Sequence, residues 1–261
     1  MTQPAAPGSS PGRPLRTGVP TLRAATYEDL DQITEVMVTA CLDTPDAVWL
    51  IADRDERETV YRRYSAAMFP AILADDATYV DVADIDAEVC AVAVWDDYAD
   101  HVLSDAQAEA RWRALVNSVS GPYADRIVLL DDITVAHQPR TKHFCLSGIG
   151  VRPDRQGYGL GTRLLRYRHH ELDAMNLPSY VVATTRAARH LFAREGYQDR
   201  DPSPFFLPDA GPAMWPMVRD GRARRASRPP HPTTPHTPLS IPPGYTVRRS
   251  VQGQAPEEVG R

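Results

Sequence analysis

The chain has 261 residues, 43% hydrophobic and 24% charged, with a formal net charge of −5. This is the make-up of an ordinary soluble chain, large enough for one large or two small domains, and its acidity argues against general nucleic-acid binding. A run of about 18 apolar residues that could span a membrane is missing, the first twenty residues lack the apolar core of a secretory signal, and Cys41, Cys90 and Cys145 are too scattered for a disulfide framework or a zinc site.

These features favour a cytoplasmic protein without a metal. Five of the 24 prolines fall in residues 1–20 and eight in residues 221–261. Such segments bury too little apolar surface to repay the entropy of ordering, so both read as disordered tails around a domain at residues 21–220. The C-terminal tail carries a net +5 and the N-terminal tail +2, which leaves about −12 on the domain. A basic tail on an acidic domain can fold back on it or meet an anionic partner; a solvated tail with no role is the plainer reading.

Along the domain, strand and helix signals alternate. Thr21 to Ala25 reads as a short strand, and Thr26 with Asp29 as a capping box. A helix follows with Leu30, Ile33, Val36, Met37 and Ala40 on one face. Asp55 to Leu73 is a second helical run. Thr78–Val82 and Val89–Trp95 flank an Asp-Ile-Asp-Ala turn and predict a hairpin. Ser104 to Val119 is helical, and residues 142–151 form a strand. A helix from Gly159 to about Met175, a strand at Tyr180–Thr184, a helix from Arg186 to Glu195 and a last strand at Met214–Arg219 complete the order. Hairpin strands first and strand–helix crossovers later predict one mixed sheet with helices on both faces.

The informative stretch is Gly150-Val151-Arg152-Pro153-Asp154-Arg155-Gln156-Gly157-Tyr158-Gly159-Leu160-Gly161-Thr162. A strand runs into a loop with three alternating glycines, and the loop opens into an amphipathic helix. The glycines let a ligand approach the backbone, and the amides at the helix start suit a pyrophosphate. A dinucleotide fold would place such a loop after its first strand, with an acid about 20 residues on, and a kinase-type loop needs a lysine. Here the loop comes late, Asp173 lies in the same helix, and Lys142 is the sole lysine, upstream.

Gln156, Gly159 and Gly161, set in Val-x-Pro-x-x-Gln-Gly-x-Gly-x-Gly, resemble the signature of the GNAT superfamily of acyl-CoA-dependent N-acetyltransferases. The resemblance extends over most of residues 21–219. Ala91–Trp95, the His137-x-Pro turn, the Lys142–Val151 strand, Leu191–Tyr197 and the final Met-Trp-Pro-Met strand fall in the order of puromycin N-acetyltransferase and its actinobacterial relatives. It implies a GNAT-like α/β (α+β) fold: a mixed, mostly antiparallel central sheet flanked by helices on both faces, with a splayed strand pair at the coenzyme site. It also implies acetyl-CoA as co-substrate. Ile149 and Val151 would then pair with the pantetheine arm, with Gly150 between them counted in the coenzyme site, and the amides of Gly157, Tyr158, Gly159, Leu160, Gly161 and Thr162 would hold the pyrophosphate. Gln156 completes the motif, and Arg155 is expected to add a charge-assisted contact.

Acetyl transfer to an amine needs a neutral amine, a polarised carbonyl and a proton for the departing thiolate. The family often supplies that proton from a tyrosine, where this chain has Phe192. Ala188 and Val182 also stand at usually polar family positions. Substitute candidates are His143 as base, Thr184 (with Thr185) as relay, and Tyr197 as the tyrosine next in sequence. Cys145 and Ser147 share a strand face with His143. The acceptor site is expected from residues 41–75 and 96–125. Asp96 and Asp97, with Tyr98, Asp100 and His101, form an acidic mouth for a cationic amine. Trp49, Trp112 and Phe69 are candidates for an apolar wall. Two functions follow: transfer of an acetyl group to a small-molecule amine such as an antibiotic, by a monomer or homodimer, or ligand sensing by a catalytically weak acyl-CoA-binding protein.

Overall fold

The computed structural model describes residues 18–99 and 106–221. Residues 1–17 and 222–261, which are most of the expected tails at 1–20 and 221–261, Asp100 and His101 of the acidic mouth, and Ser104 at the start of an expected helix lie outside the described residues.

In chain order the elements are β1 (Thr21–Ala24), α1 (Leu30–Cys41), α2 (Pro45–Leu50), α3 (Arg54–Ala74), β2 (Thr78–Ile85), β3 (Glu88–Asp97), α4 (Ala106–Ser120), α5 (Ala124–Ala136), β4 (Phe144–Val151), α6 (Leu160–Met175), β5 (Ser179–Ala183), α7 (Arg186–Arg194), β6 (Gln198–Asp199), β7 (Phe205–Phe206) and β8 (Ala213–Arg219). The helix signals of α1, α3, α4, α6 and α7 were legible. Before α1, the Asp29 carboxylate accepts from the Thr26 amide at 2.7 Å and from the Arg23 guanidinium at 2.7 Å, which anchors the helix start to β1. The hairpin is tighter than its sequence suggests. Its turn is only Asp86-Ala87, at φ 53° and 62°, the two-residue geometry that matches strand twist.

Four elements were not expected. α2 is six residues long, and β6 and β7 are two residues each, too short for a periodic signal. In α5, Ile127, Val128, Leu130 and Ile133 pack inward while Leu129 is exposed, so its apolar residues nearly ring the helix and blur the 3.6-residue period.

The sheet order is β1-β2-β3-β4-β5-β8-β6, with β7 pairing β8. Every pairing is antiparallel except β4 with β5. Alternation along β3 serves two layers. Val92 and Val94 meet Ile33 and Val36 of α1 and Phe69 of α3. Ala91, Ala93 and Trp95 meet Leu164 and Leu165 of α6 and Phe192 of α7. A strand buried on both faces reads as a continuous apolar run, as Val89–Trp95 does. Each large side chain so buried contributes roughly 1.5–3 kcal/mol. On the α6 side a charged pair is also enclosed: the Arg168 Nε donates to Asp81 at 3.0 Å, with both side chains buried.

β4 and β5 pair only where Phe144, Cys145 and Leu146 face Ser179, Tyr180 and Val181. Beyond Val181 they part, because β4 bends. Its register against β3 jumps from Gly148↔Val94 to Leu146↔Trp95, leaving Ser147 as an extra residue. Such a bulge turns a strand away from its neighbour. β5 meanwhile stays paired with β8 through Ala183.

Candidate active site

The parting of β4 and β5 leaves one edge of β4 open from Ser147 to Val151. The Arg152 amide donates to the Cys90 carbonyl at 2.9 Å. Alternation by two then turns the backbone groups of Gly150 and Gly148 toward β3, and those of Ile149 and Val151 onto the open edge. This corrects the expectation for Gly150, which is not offered to a ligand. A Cβ on Gly150 would stand 3.0 Å from the Met37 sulfur and 3.1 Å from the Ala40 Cβ, so the glycine lets α1 lie close on the strand.

Past Val151 the chain makes one 3-10 turn and reaches Gly157 and Gly159, at φ 82° and 79°. Both lie in the left-handed region that favours glycine, and a Cβ at either would meet nothing within 4 Å. Gly159 is the N-cap of α6 and has no side chain to cap it. The amides of Leu160, Gly161 and Thr162 open the helix, where no carbonyl one turn back can accept from them. With the positive end of the helix dipole they form a donor set for an anion. The geometry fits a pyrophosphate: open space, glycine backbone and donors left unsatisfied by the cap. Gln156 plays a structural part, its Nε2 donating to the Val151 carbonyl at 3.1 Å and bracing the loop against the strand. Tyr158 is 60% exposed at the loop tip. Arg155 departs from expectation, being buried with its Nε 3.7 Å from Asp154, so its charge is not presented on the open side of the loop. Arg163, exposed in the first turn of α6, is a basic residue that sequence reasoning passed over.

On the α1 side of the sheet, a cavity of about 450 Å³ adjoins the parting strands. β4 contributes Cys145, Ser147 and Gly148, β5 contributes Tyr180 and Val182, and Thr184 follows directly after β5. Its apolar wall includes Met68, Phe69 and Trp112, and its tyrosines are Tyr61, Tyr64, Tyr98 and Tyr180. Its charged lining is Asp46, Asp96 and Asp131; among the described residues that line it there is no lysine, arginine or histidine.

The candidates named from sequence separate accordingly. Asp96, Tyr98 and Thr184 line the cavity, as do Phe69, Trp112 and Ser147. Asp97 is not among the lining residues, because it follows Asp96 on a strand; its Oδ1 accepts from the Ala99 amide at 2.6 Å. Trp49 is engaged elsewhere. Its Nε1 donates to the Pro208 carbonyl at 2.9 Å and the Arg126 guanidinium lies 4.1 Å over its ring, so it pins α2 to the loop after β7.

His143 is buried behind Tyr98, whose ring stacks on the imidazole at 5.1 Å. Its Nδ1 donates to the Thr141 carbonyl at 2.7 Å, and burial lowers its pKa, so it is held neutral. Tyr197 lies on the opposite face of the sheet, in the core with α6 and Phe192. Its hydroxyl accepts from Ser179 at 2.9 Å and is hydrogen-bonded to the His169 Nε2 at 3.0 Å, and burial keeps His169 neutral by lowering its pKa to about 3. Tyr197 is thus a core residue and no substitute for the tyrosine missing at Phe192, itself only 1% exposed.

Asp46 is the residue that sequence reasoning missed. It rides on α2, which no periodicity announced. α2 is held in place by Arg57, whose buried guanidinium donates to the Leu42 carbonyl at 2.6 Å before the helix, and to Ile51 and Ala52 at 2.6 and 3.0 Å after it. Asp46 thereby reaches the Thr184 hydroxyl at the end of β5. Burial pushes its carboxyl up, opposed by the hydroxyls of Thr44 and Thr184.

The site is thus a mixed sheet parted between two parallel strands, with an amide-lined loop at the open end and a cavity beside it. The model of the acetyltransferase (GNAT) family matches residues 47–197, more than half of the chain. The chain belongs to this family, whose enzymes use acetyl-CoA as co-substrate. Among solved structures, it is similar to an HPA2-type histone acetyltransferase and related acetyltransferase from Corynebacterium glutamicum, at 23% identity over 79% of this chain and 99% of that one, with a TM-score of 0.56. It is also similar to arylalkylamine N-acetyltransferase 2 from Aedes aegypti, at 12% identity over 77% and 98%, TM-score 0.54. A third, an agmatine N-acetyltransferase, shares 14% identity over 77% and 99%, TM-score 0.51. At these identities the likeness is one of fold. No curated protein matches the chain significantly.

Proposed function

We propose that this chain transfers an acetyl group from acetyl-CoA to the amine of a small, cationic molecule with an apolar body. The observation that carries the reading is the cavity beside the parted strands. It has three carboxylates, no opposing cation among the described lining residues, and aromatic walls. Such a lining selects positive charge and excludes anions.

Acetyl-CoA, when bound, supplies an acyl group already activated as a thioester. The open edge of Ile149 and Val151 would hold the pantetheine arm as an added strand. The amides of Gly157 to Thr162 would hold the pyrophosphate, with Arg163 beside them. The backbone of β4 past the Ser147 bulge would present an N–H to the acyl oxygen. Holding amine and thioester together contributes up to about 7–11 kcal/mol in the best model cases, so turnover does not require the tyrosine absent at Phe192.

In this reading residues 21–220 are the catalytic domain, working in the cytoplasm as a monomer or homodimer, with the basic C-terminal segment outside it. The segment order shared with puromycin N-acetyltransferase supports an antibiotic or other secondary metabolite as acceptor. The test is release of free thiol from acetyl-CoA by the purified full chain across a panel of primary amines, beside calorimetric binding of acetyl-CoA. Failure to bind acetyl-CoA would end the proposal. Binding without turnover on any amine would select the sensor reading, which the apolar residues at Val182, Ala188 and Phe192 favour.

A further inference from the structure

Resting on that proposed function, we infer that Asp46 receives the acceptor's ammonium group and takes its proton. The cavity offers three carboxylates, and Asp46 is distinguished among them by its place. It stands against Thr184, past the point where β4 and β5 part, whereas Asp96 lies opposite Cys145, where the two strands are still paired, and Asp131 is carried on α5 with a partner of its own. The open stretch of the strand pair therefore faces Asp46. The Asp46 Oδ1 is fully buried and has no hydrogen-bond partner among the described residues. A buried, unsatisfied carboxylate oxygen costs stability unless a ligand satisfies it.

Local cations do not supply that partner. Arg57 spends its guanidinium on the Leu42, Ile51 and Ala52 carbonyls and on Asp43 at 3.4 Å. The titratable groups that face Asp46 are Cys41 from α1 and Tyr61 from α3, with Tyr64 and Arg57 beyond them. Burial raises Cys41 to about 12 and raises Tyr61 as well, so both are neutral near pH 7. Where Cys41 and Tyr61 are neutral, an arriving ammonium thus meets the Asp46 carboxyl with no other charged group of the described residues in contact with it.

Transfer of one proton leaves a neutral amine and a neutral acid, removing both buried charges at once. The amine lone pair is then free to form the C–N bond as the acyl carbon–sulfur bond breaks. The second proton on nitrogen ends on sulfur as the thiol, and the proton on Asp46 passes to water when product leaves. Burial also raises the carboxyl's own pKa, bringing it nearer to that of the ammonium it must deprotonate.

The experiment uses the full chain, wild type and Asp46→Asn, with Asp46→Glu as conservative rescue. Binding of 2-phenylethylamine, tyramine and tryptamine is measured by calorimetry without coenzyme, with 2-phenylethanol as the uncharged control and acetyl-CoA as a separate ligand. Asp46→Asn should weaken amine binding at least tenfold, leave acetyl-CoA and 2-phenylethanol affinities unchanged, and lower kcat/KM about 100-fold or more. It should also remove the acidic limb of the kcat/KM profile, and Asp46→Glu should restore part of each loss. Unchanged amine binding or a persisting acidic limb in Asp46→Asn overturns the role of Asp46 while the transferase reading stands. Wild-type chain that binds acetyl-CoA but none of the three amines overturns it too. Failure of wild type to bind acetyl-CoA defeats the transferase reading instead, and the loss or retention of amine binding in Asp46→Asn still decides the carboxylate's role as ammonium receptor.

Discussion

The alternating glycines of the coenzyme loop do not share one physical task, and alanine at Gly159 and at Gly161 should show it. Gly159 sits at φ 79° with nothing within 4 Å of where a Cβ would stand. Gly159→Ala therefore meets no clash, and its cost is the left-handed backbone itself, about 1–2 kcal/mol. That cost is paid in one of two ways. If the free loop keeps its shape, the whole cost falls on stability, a melting-point drop of about 2–8 °C for a domain of this size. If the free loop relaxes to a negative φ, coenzyme binding must restore the shape, and the affinity for acetyl-CoA falls about 5–30-fold. The two losses together should sum to the same total.

Gly161 is different. It lies inside α6, and its Cβ would meet Leu191 Cδ2 at 3.4 Å, the end of a flexible side chain. Gly161→Ala keeps the amide and gains up to about 1 kcal/mol of helix propensity. It should leave acetyl-CoA affinity within about twofold and raise the melting point slightly. Thermal melts with and without acetyl-CoA, beside calorimetry, read both quantities. If Gly161→Ala proves as harmful as Gly159→Ala, the left-handed N-cap is not what shapes the loop and the reasoning fails.

Three other outcomes are expected. Phe192→Tyr places a hydroxyl in the core of the α6 face with no partner prepared for it, so it should cost about 1–3 kcal/mol of stability without raising turnover; a gain in turnover would refute this placement. Asp81→Ala strands the buried Arg168 and should cost about 3–5 kcal/mol by chemical denaturation, whereas Glu171→Ala, removing its half-exposed partner, should cost far less. His169 has a folded pKa of about 3 against about 6.5 unfolded, so the unfolded state binds the extra proton and stability is lost as pH falls from about 6.5 toward 3; His169→Gln should flatten stability curves across that window by up to about 1.4 kcal/mol per pH unit.

Local chemistry made the scaffold and the coenzyme loop legible. The apolar run Val89–Trp95 was legible as a strand, which the structure buries on both faces, and the glycines were legible as a backbone open to a ligand in front of a helix, which at 157 and 159 proves left-handed. These signals survive in sequence because each depends on neighbours a few residues apart. The splaying of β4 from β5 was expected only through the family resemblance, and the bulge at Ser147 that causes it gave no signal, since both are relations between strands more than thirty residues apart.

The acceptor side shows the same division. Acid at Asp96 and an aromatic wall at Trp112 and Phe69 could be guessed from composition, but Trp49 and Tyr197 could not be told from core residues by type alone. Each is assigned by what its polar atom meets: the Pro208 carbonyl for the indole, Ser179 and His169 for the phenol. Asp46 gave no signal in one dimension, for its six-residue helix is held by Arg57 gripping carbonyls on either side of it. Sequence alone decided the family of the fold and where its coenzyme loop begins, because both are written in short-range pattern. Tertiary structure decided which carboxylate faces the open strand pair, because burial and the lack of a counter-cation belong to a cavity walled by five helices and four strands.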